Sequence, residues 1–377
     1  MRGKIGSIVG IIVLFSNFSA ITFVGTDNVM ASPSTLYVGG TGPGNYTSIQ
    51  DAINAASDGD TIFVYSGTYY ENVVVNKSIT LIGENRDTTI IDGGRNDNVV
   101  YIGADNVTIT GFTIINSSLQ YATNPYAGVY VAGNNSKIIN NDITGNKCGI
   151  TCTASNTTIA DNIIHDNTDD GIILCDNTHD DVITNNTISE NNINGVRLRN
   201  AINITIRNNI FQNNSIVFRT ALTQYHWNTH TIENNTANGR PIYYYKNVDG
   251  IVVPADAISV ILANCTDVII DGINASGVDD GIELGYSSNC TIRNSQISGN
   301  GIAGIYMDSS YNNTIYNNTI SENSHGIDIY HSYNNNIHNN SILMNHEGIC
   351  VAGVSVSYTH LRAHETEADL VCRLLLE

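Results

Sequence analysis

From Gly128 onward the chain repeats one short pattern: a glycine, an apolar residue, a variable residue and a second apolar residue. The pattern opens at Gly128, Gly149, Gly171, Gly195, Gly281, Gly304, Gly326 and Gly348, at steps of 21, 22, 24, 86, 23, 22 and 22 residues. The long step is close to four of about 21.5, so the period can be carried through it. One residue past each glycine stand Val129, Ile150, Ile172, Val196, Ile282, Ile305, Ile327 and Ile349. Three past it stand Val131, Cys152, Leu174, Leu198, Leu284, Met307, Ile329 and Val351. Both columns are apolar throughout, which predicts inward-pointing positions of a strand. The residue between them is Tyr130, Thr151, Ile173, Arg197, Glu283, Tyr306, Asp328 or Cys350, and its varied character predicts a solvent-facing column. Alternation within each unit and like residues at a fixed period predict an all-β fold: a right-handed parallel β-helix of about 22 residues per coil, its strands about 4.8 Å apart.

The polar positions agree. Asn141, Asn162, Asn186, Asn209, Asn318 and Asn340 each stand one or two residues ahead of an apolar residue. Asn tolerates left-handed backbone at a corner, and its amide can bond to the same amide one coil away, so these residues are expected to be structural corners. Ahead of the repeats, Ile49, Ala52, Ile53 and Ala56 form one apolar stripe at helical spacing, with Thr47 and Gln50 reading as a capping box. A short helix there is expected to close the open end of the first coil. Residues 32–60 are therefore expected to be an N-terminal cap, and 61–355 the β-helix. Inside the long step, Ser215–Phe218, Pro241–Tyr245 and Ser259–Ala263 lie at workable strand positions, and the Gly- and Pro-interrupted stretch 244–257 reads as a bulging loop.

The two ends read differently. Arg2 and Lys4 precede an interrupted apolar run, and Val29-Met30-Ala31 offers a cleavage site, so residues 1–31 are expected to be a signal peptide, with no membrane span after its removal. Residues 356–377 lose the repeat and resemble a translated sequencing-library adapter; the expectation is a non-native tail, with the natural sequence continuing beyond about Ser355. A secreted or cell-surface, extracytoplasmic location follows. Charged residues are only 14% of the chain and the net charge is −19, a surface that repels nucleic acid and anionic lipid.

Cys265 and Cys290 both stand in Asn-Cys-Thr and are expected in successive coils, close enough for a disulfide, although buried thiols suit the core pattern better. Asp169-Asp170 and Asp279-Asp280 each precede a glycine of the repeat. Counted along the period they lie five coils, or roughly 24 Å, apart and cannot form one site. Asp169 and Asp170 on one coil, with Arg197 and Arg199 facing outward on the next, are the candidate catalytic group. Outward Tyr306, Asp308, His325, Asp328 and Tyr330 form the candidate ligand-binding patch, where rings stack on sugars and acids bond to hydroxyls. His331, His338 and His346 are expected near it. No metal site is assigned, and neither calcium nor copper has a ligand spacing behind it.

The stretch Tyr46-Thr-Ser-Ile-Gln-Asp-Ala-Ile-Asn-Ala-Ala, then Asp58-Gly-Asp-Thr-Ile, Gly67-Thr-Tyr-Tyr-Glu-Asn-Val and Asn238-Gly-Arg-Pro-Ile-Tyr-Tyr, resembles NosD-type (periplasmic copper-accessory) right-handed β-helix proteins of the pectin-lyase-like superfamily. The resemblance covers about Leu36 to Val354. It implies a fold and a link to polysaccharides or to copper-site maturation. Ser324-His325-Gly326 only echoes the Gly-His-Gly of the polygalacturonase branch, and the Arg-x-Lys element of that branch is absent. The expected function is an exported, monomeric cell-surface protein that binds a polysaccharide or cell-envelope glycan. A polysaccharide lyase or hydrolase and a copper-site accessory protein are the alternatives.

Overall fold

A computed structural model describes residues 32–120, 125–219, 223–353 and 362–363, and the chain from Pro33 on forms one compact unit. The leader assigned to 1–31 lies outside the described residues, as does the tail at 356–377 apart from the Arg362–Ala363 backbone, which pairs with Asn336–Leu343.

The chain winds as a right-handed parallel β-solenoid, with sheets of 9, 7, 14 and 8 strands running along its faces. The register stacks like on like. Val129 pairs with Ile150, Ile150 with Ile172 and Ile172 with Val196, while Val131, Cys152, Leu174 and Leu198 stack beside them. Both columns are fully buried here, as the alternation required. Each aliphatic so buried contributes about 1.5–3 kcal/mol, and each coil adds several.

Corner duty is divided between adjacent residues. Asn140, Asp161, Asn185, Asn208 and Asn234 take the left-handed backbone, with φ between 56° and 58°. The next residues, Asn141, Asn162, Asn186, Asn209 and Asn235, turn inward as a buried amide ladder. Their Nδ2 donates to the next Oδ1 at 3.2, 3.0, 3.0 and 3.0 Å, and that same Oδ1 accepts the backbone N–H of the asparagine before it. The ladder thus satisfies the backbone of a tight corner that no strand partner reaches.

The cap helix α1, Ile49–Ala55, buries Ile49, Ala52 and Ile53. Its N-cap is Ser48 rather than Thr47, and Gln50 does not close a capping box. Glu71 from the first full coil takes that role, accepting from Ile49 N at 2.8 Å and Gln50 N at 2.9 Å, a contact no local pattern announces.

The long step hides a reversal. Thr236–Ala237 turns through Asn238 and Gly239, both at positive φ, and pairs antiparallel with Pro241 and Arg240. A second stack then grows in parallel from Arg240–Lys246, through Ser259–Ala263, Asp280–Gly285, Ala303–Asp308 and His325–Tyr330, to Glu347–Ala352. The period therefore does not run straight through. The stretch 244–257 is no simple bulge: Tyr244 and Tyr245 are strand residues, Asp249 and Val252 bridge to the next coil, and Val253 and Ala257 are buried. Asn-Gly chemistry favours such a turn, but the repeat count gives no sign of a change of direction.

Ile216–Arg219, the last strand of the seven-stranded sheet, pairs in parallel with Val196–Arg199 on one side and has no strand partner on the other among the described residues. Carboxylates of the second stack cover it. Asp279 Oδ2 accepts from Gly195 N at 2.8 Å and Ser215 N at 2.7 Å, and Glu283 Oε2 accepts from Phe218 N at 3.1 Å. The expected five-coil separation of the two Asp pairs is thereby overturned. Asn194 donates to Asp170 at 2.5 Å while the adjacent Gly195 donates to Asp279, so the fold-back places both pairs around one coil.

Candidate functional site

The outer face of the second stack carries three polar rows set by strand register. Glu283, Tyr306, Asp328 and Cys350 form the middle row; Asp280, Ala303, His325 and Glu347 lie to one side, and Gly285, Asp308, Tyr330 and Ala352 to the other. All five residues of the expected ligand-binding patch, Tyr306, Asp308, His325, Asp328 and Tyr330, are together on this face. The expectation that the middle column faces solvent fails in part: Tyr130, Arg197 and Cys350 are half-buried, but Thr151, Ile173, Glu283, Tyr306 and Asp328 are buried, with Thr151 donating to Pro125 O and Trp227 stacked on Tyr306.

The cover over the second stack is aromatic. Helix α2, Gln224–Asn228, places Trp227 flat on Phe218, ring centroids 4.7 Å apart and 7° from parallel. Trp227 continues to Tyr306 at 6.4 Å, and Tyr306 to Tyr330 at 5.8 Å. Gly285 is the seat of the indole: a Cβ there would run into the Trp227 ring. Beside this row Arg219 lies 4.3 Å from the centroid of Tyr306, pairs with Asp280, and reaches Glu283 at 3.9 Å.

Cover thins towards the later strands. Asp280 and Glu283 are fully buried, Asp328 nearly so, while His325, Tyr330 and Glu347 are half-buried. His325 spans two acids, with Nδ1 3.9 Å from Asp328 and Nε2 3.7 Å from Glu347, and His331 lies 3.3 Å from Asp308. Burial raises the pKa of Glu283, reinforced by the neighbouring Asp280 charge and opposed by Arg219. Burial also raises Asp328, against the pull of His325 and Arg219, and raises Asp308, against Ser309 and His331. Cys350, next to Asp328 and Glu347, is pushed up to about 11, first by burial. Chemically, this face offers a ring to stack on, carboxyls that accept or donate, and a histidine that can relay a proton.

The candidate catalytic group is ion-paired within the protein. Asp170 is buried against Arg197 at 2.6 Å, Asp169 pairs with Lys147 at 2.9 Å, and Arg199 lies 3.4 Å from Asp176. Of the three expected histidines, His331 joins the patch. His338 stacks on Tyr316 of a different sheet, and His346 is exposed. The six described cysteines are free thiols, Cys265 and Cys290 included.

Sequence reasoning missed Arg219, which only the reversal brings to the patch, and did not group with it Asp280 and Glu283, which lie one coil before Ala303 and Tyr306 in the same period. It also missed an open groove of about 460 Å³ lined by His179, Asp180, Ile202, Asn203, Tyr225 and Thr229. Among the described residues no group of three or more His, Cys, Asp and Glu is arranged to hold a metal ion.

The sequence matches the family described as "Right handed beta helix region" over residues 97–257 and that described as "Periplasmic copper-binding protein (NosD)" over 228–359. A mannuronan C5-epimerase of Pseudomonas putida is 34% identical over 139 residues, 36% of this chain and 26% of that protein. A cell surface glycoprotein of Methanothermus fervidus is 41% identical over 73 residues, 19% of this chain and 12% of that protein. The matches thus span about a quarter or less of these relatives' own length. The A-module of an Azotobacter vinelandii mannuronan C-5 epimerase is similar in structure at 18% identity and a TM-score of 0.46, covering 86% of this chain and all of that one. A pectate lyase gives 15% identity and 0.42, covering 87% and 79%. At these identities and scores the solved structures carry no functional argument.

Proposed function

From the matches of parts of the chain to the right-handed β-helix and NosD families, together with the face just described, we propose that it is an extracytoplasmic protein that binds a polysaccharide or cell-envelope glycan on the outer face of its second stack. The observation that carries this reading is the aromatic row Phe218, Trp227, Tyr306 and Tyr330, which rises out of the cover to a half-buried ring flanked by hydrogen-bonding acids and histidines. A ring held by its neighbours on a stacked sheet loses little entropy when a sugar packs on it. The cell surface glycoprotein among the relatives supports the extracytoplasmic part of this reading alone. The test is a glycan array with wild type and Tyr330→Ala. Binding to at least one glycan, lost in the variant, is expected; no binding to any glycan would overturn the reading.

A second reading is supported by one feature: His325 lies 3.9 Å from a buried carboxyl whose pKa is raised, with a guanidinium nearby. Such a set suits proton transfer on an acidic sugar, the substrate class named for the mannuronan epimerase relative. Release of reducing ends or unsaturated products, or solvent proton exchange into a uronate polymer, abolished by His325→Ala, would favour this reading over binding alone.

A further inference from the structure

Resting on the carbohydrate-binding reading, we infer that the sugar this face takes is cationic, an oligosaccharide of amino sugars with free ammonium groups. The chain itself shows what the face holds at its covered end: the Arg219 guanidinium lies on the Tyr306 ring, paired with Asp280 and close to Glu283. That is a cation held by a ring face and carboxylates together.

The same chemistry recurs one coil along, where cover is thin. Tyr330 lies 5.8 Å from Tyr306, in register with Asp308, and Asp328 stands in the row beside it. Asp328 has only 7% of its side chain exposed, and its Oδ1 has no hydrogen-bond partner among the described residues. A buried carboxylate oxygen left unbonded is costly, and a donor that arrives with the ligand removes that cost. Glu347, with 36% of its side chain exposed, adds a third acid on the far side of His325.

The surroundings select by charge. A uronate would bring its carboxylate against Asp308, Asp328 and Glu347 on a chain of net charge −19. A neutral hexose would satisfy the ring but bring the acids no charge partner beyond His325 and His331. An amino sugar supplies an apolar ring face for Tyr330 and an ammonium for Asp328 at once.

The experiment is titration calorimetry of the full chain at mildly acidic pH with three tetramers: glucosamine, N-acetylglucosamine and mannuronate. The expected result is that the glucosamine tetramer binds at least about tenfold tighter than the other two. That advantage should vanish in Asp328→Asn and shrink as salt is raised. Glu347→Gln, at the more exposed acid, is the second variant should Asp328→Asn fail to fold, and is expected to cut the advantage at least threefold. Equal binding of all three tetramers, or a preference for mannuronate, overturns the inference and leaves the carbohydrate reading standing. Binding of none overturns the reading beneath it.

Discussion

Replacing Gly149 by alanine tests the repeat where it is tightest. The Gly149 φ lies outside the left-handed region, so any residue could adopt its backbone; space alone demands the glycine. An added Cβ would sit 2.5 Å from Gly171 O and 2.6 Å from Ile164 Cγ2. That carbonyl cannot simply retreat, because it accepts Ile150 N at 2.9 Å in the ladder between coils. Overpacking costs about 1–3 kcal/mol, and loosening the ladder bond adds about 1 kcal/mol. The expected loss is therefore about 2–4 kcal/mol. Gly145 is the control: it has φ +64° but no heavy atom within 4 Å of an added Cβ, so alanine there pays only left-handed strain, about 1–2 kcal/mol. Guanidinium melts followed by circular dichroism, compared at equal slopes, give both numbers. If Gly145→Ala proves the more damaging, the coils are not packed as tightly as this argument requires.

Three further outcomes follow from buried polar groups. Asn186→Ala removes donors to Ile159 O and Asn209 and the acceptor for Asn162 N, and should cost about 3 kcal/mol in thermal or denaturant melts; a loss below about 1 kcal/mol would show the ladder is dispensable. Burial pushes Asp181 up to about 7, above its unfolded value of 3.8, so the folded state holds the extra proton. Its contribution is full below about pH 4 and is lost as pH rises to about 7. Stability of the wild type relative to Asp181→Asn should fall across that window, whereas a flat difference would contradict the burial; His230, held down to about 4, opposes the trend equally in both proteins. Burial also pushes Cys152, Cys175 and Cys290 up to about 12, 11 and 12. Native alkylation with peptide mapping should spare these and label Cys350 first among the described cysteines.

The solenoid was legible because its core is one-dimensional. A fixed period forces each inward residue onto its counterpart a coil away, so Ile150, Ile172 and Val196 declare both strand and register at once. The corner asparagines were legible for a related reason, although the sequence could not divide the work between Asn185, which bends the backbone, and Asn186, which bonds across coils. The change of winding direction was not legible. An Asn-Gly turn of two residues inside an 86-residue step looks like any other corner.

That edge also explains why the site was half read. Periodicity assigns a side chain to the outer face but says nothing of what lies over that face. Tyr306, Asp308, His325, Asp328 and Tyr330 could be grouped because they are neighbours along one period, and Tyr306 and Asp328 were misjudged as open because Phe218, Arg219 and Trp227 come from outside it. The covering has a requirement of its own. An edge strand with unpaired N–H groups needs acceptors, and Asp279 and Glu283 supply them from the second stack. Acids placed there for the edge then need a cation, and Arg219, on the edge strand itself, provides it. The acidic, aromatic character of the face is thus a consequence of the reversal. Where the cover thins, at Glu347 and Tyr330 beside the buried Asp328, the same composition approaches solvent, and a ligand's ammonium is the counterpart proposed above.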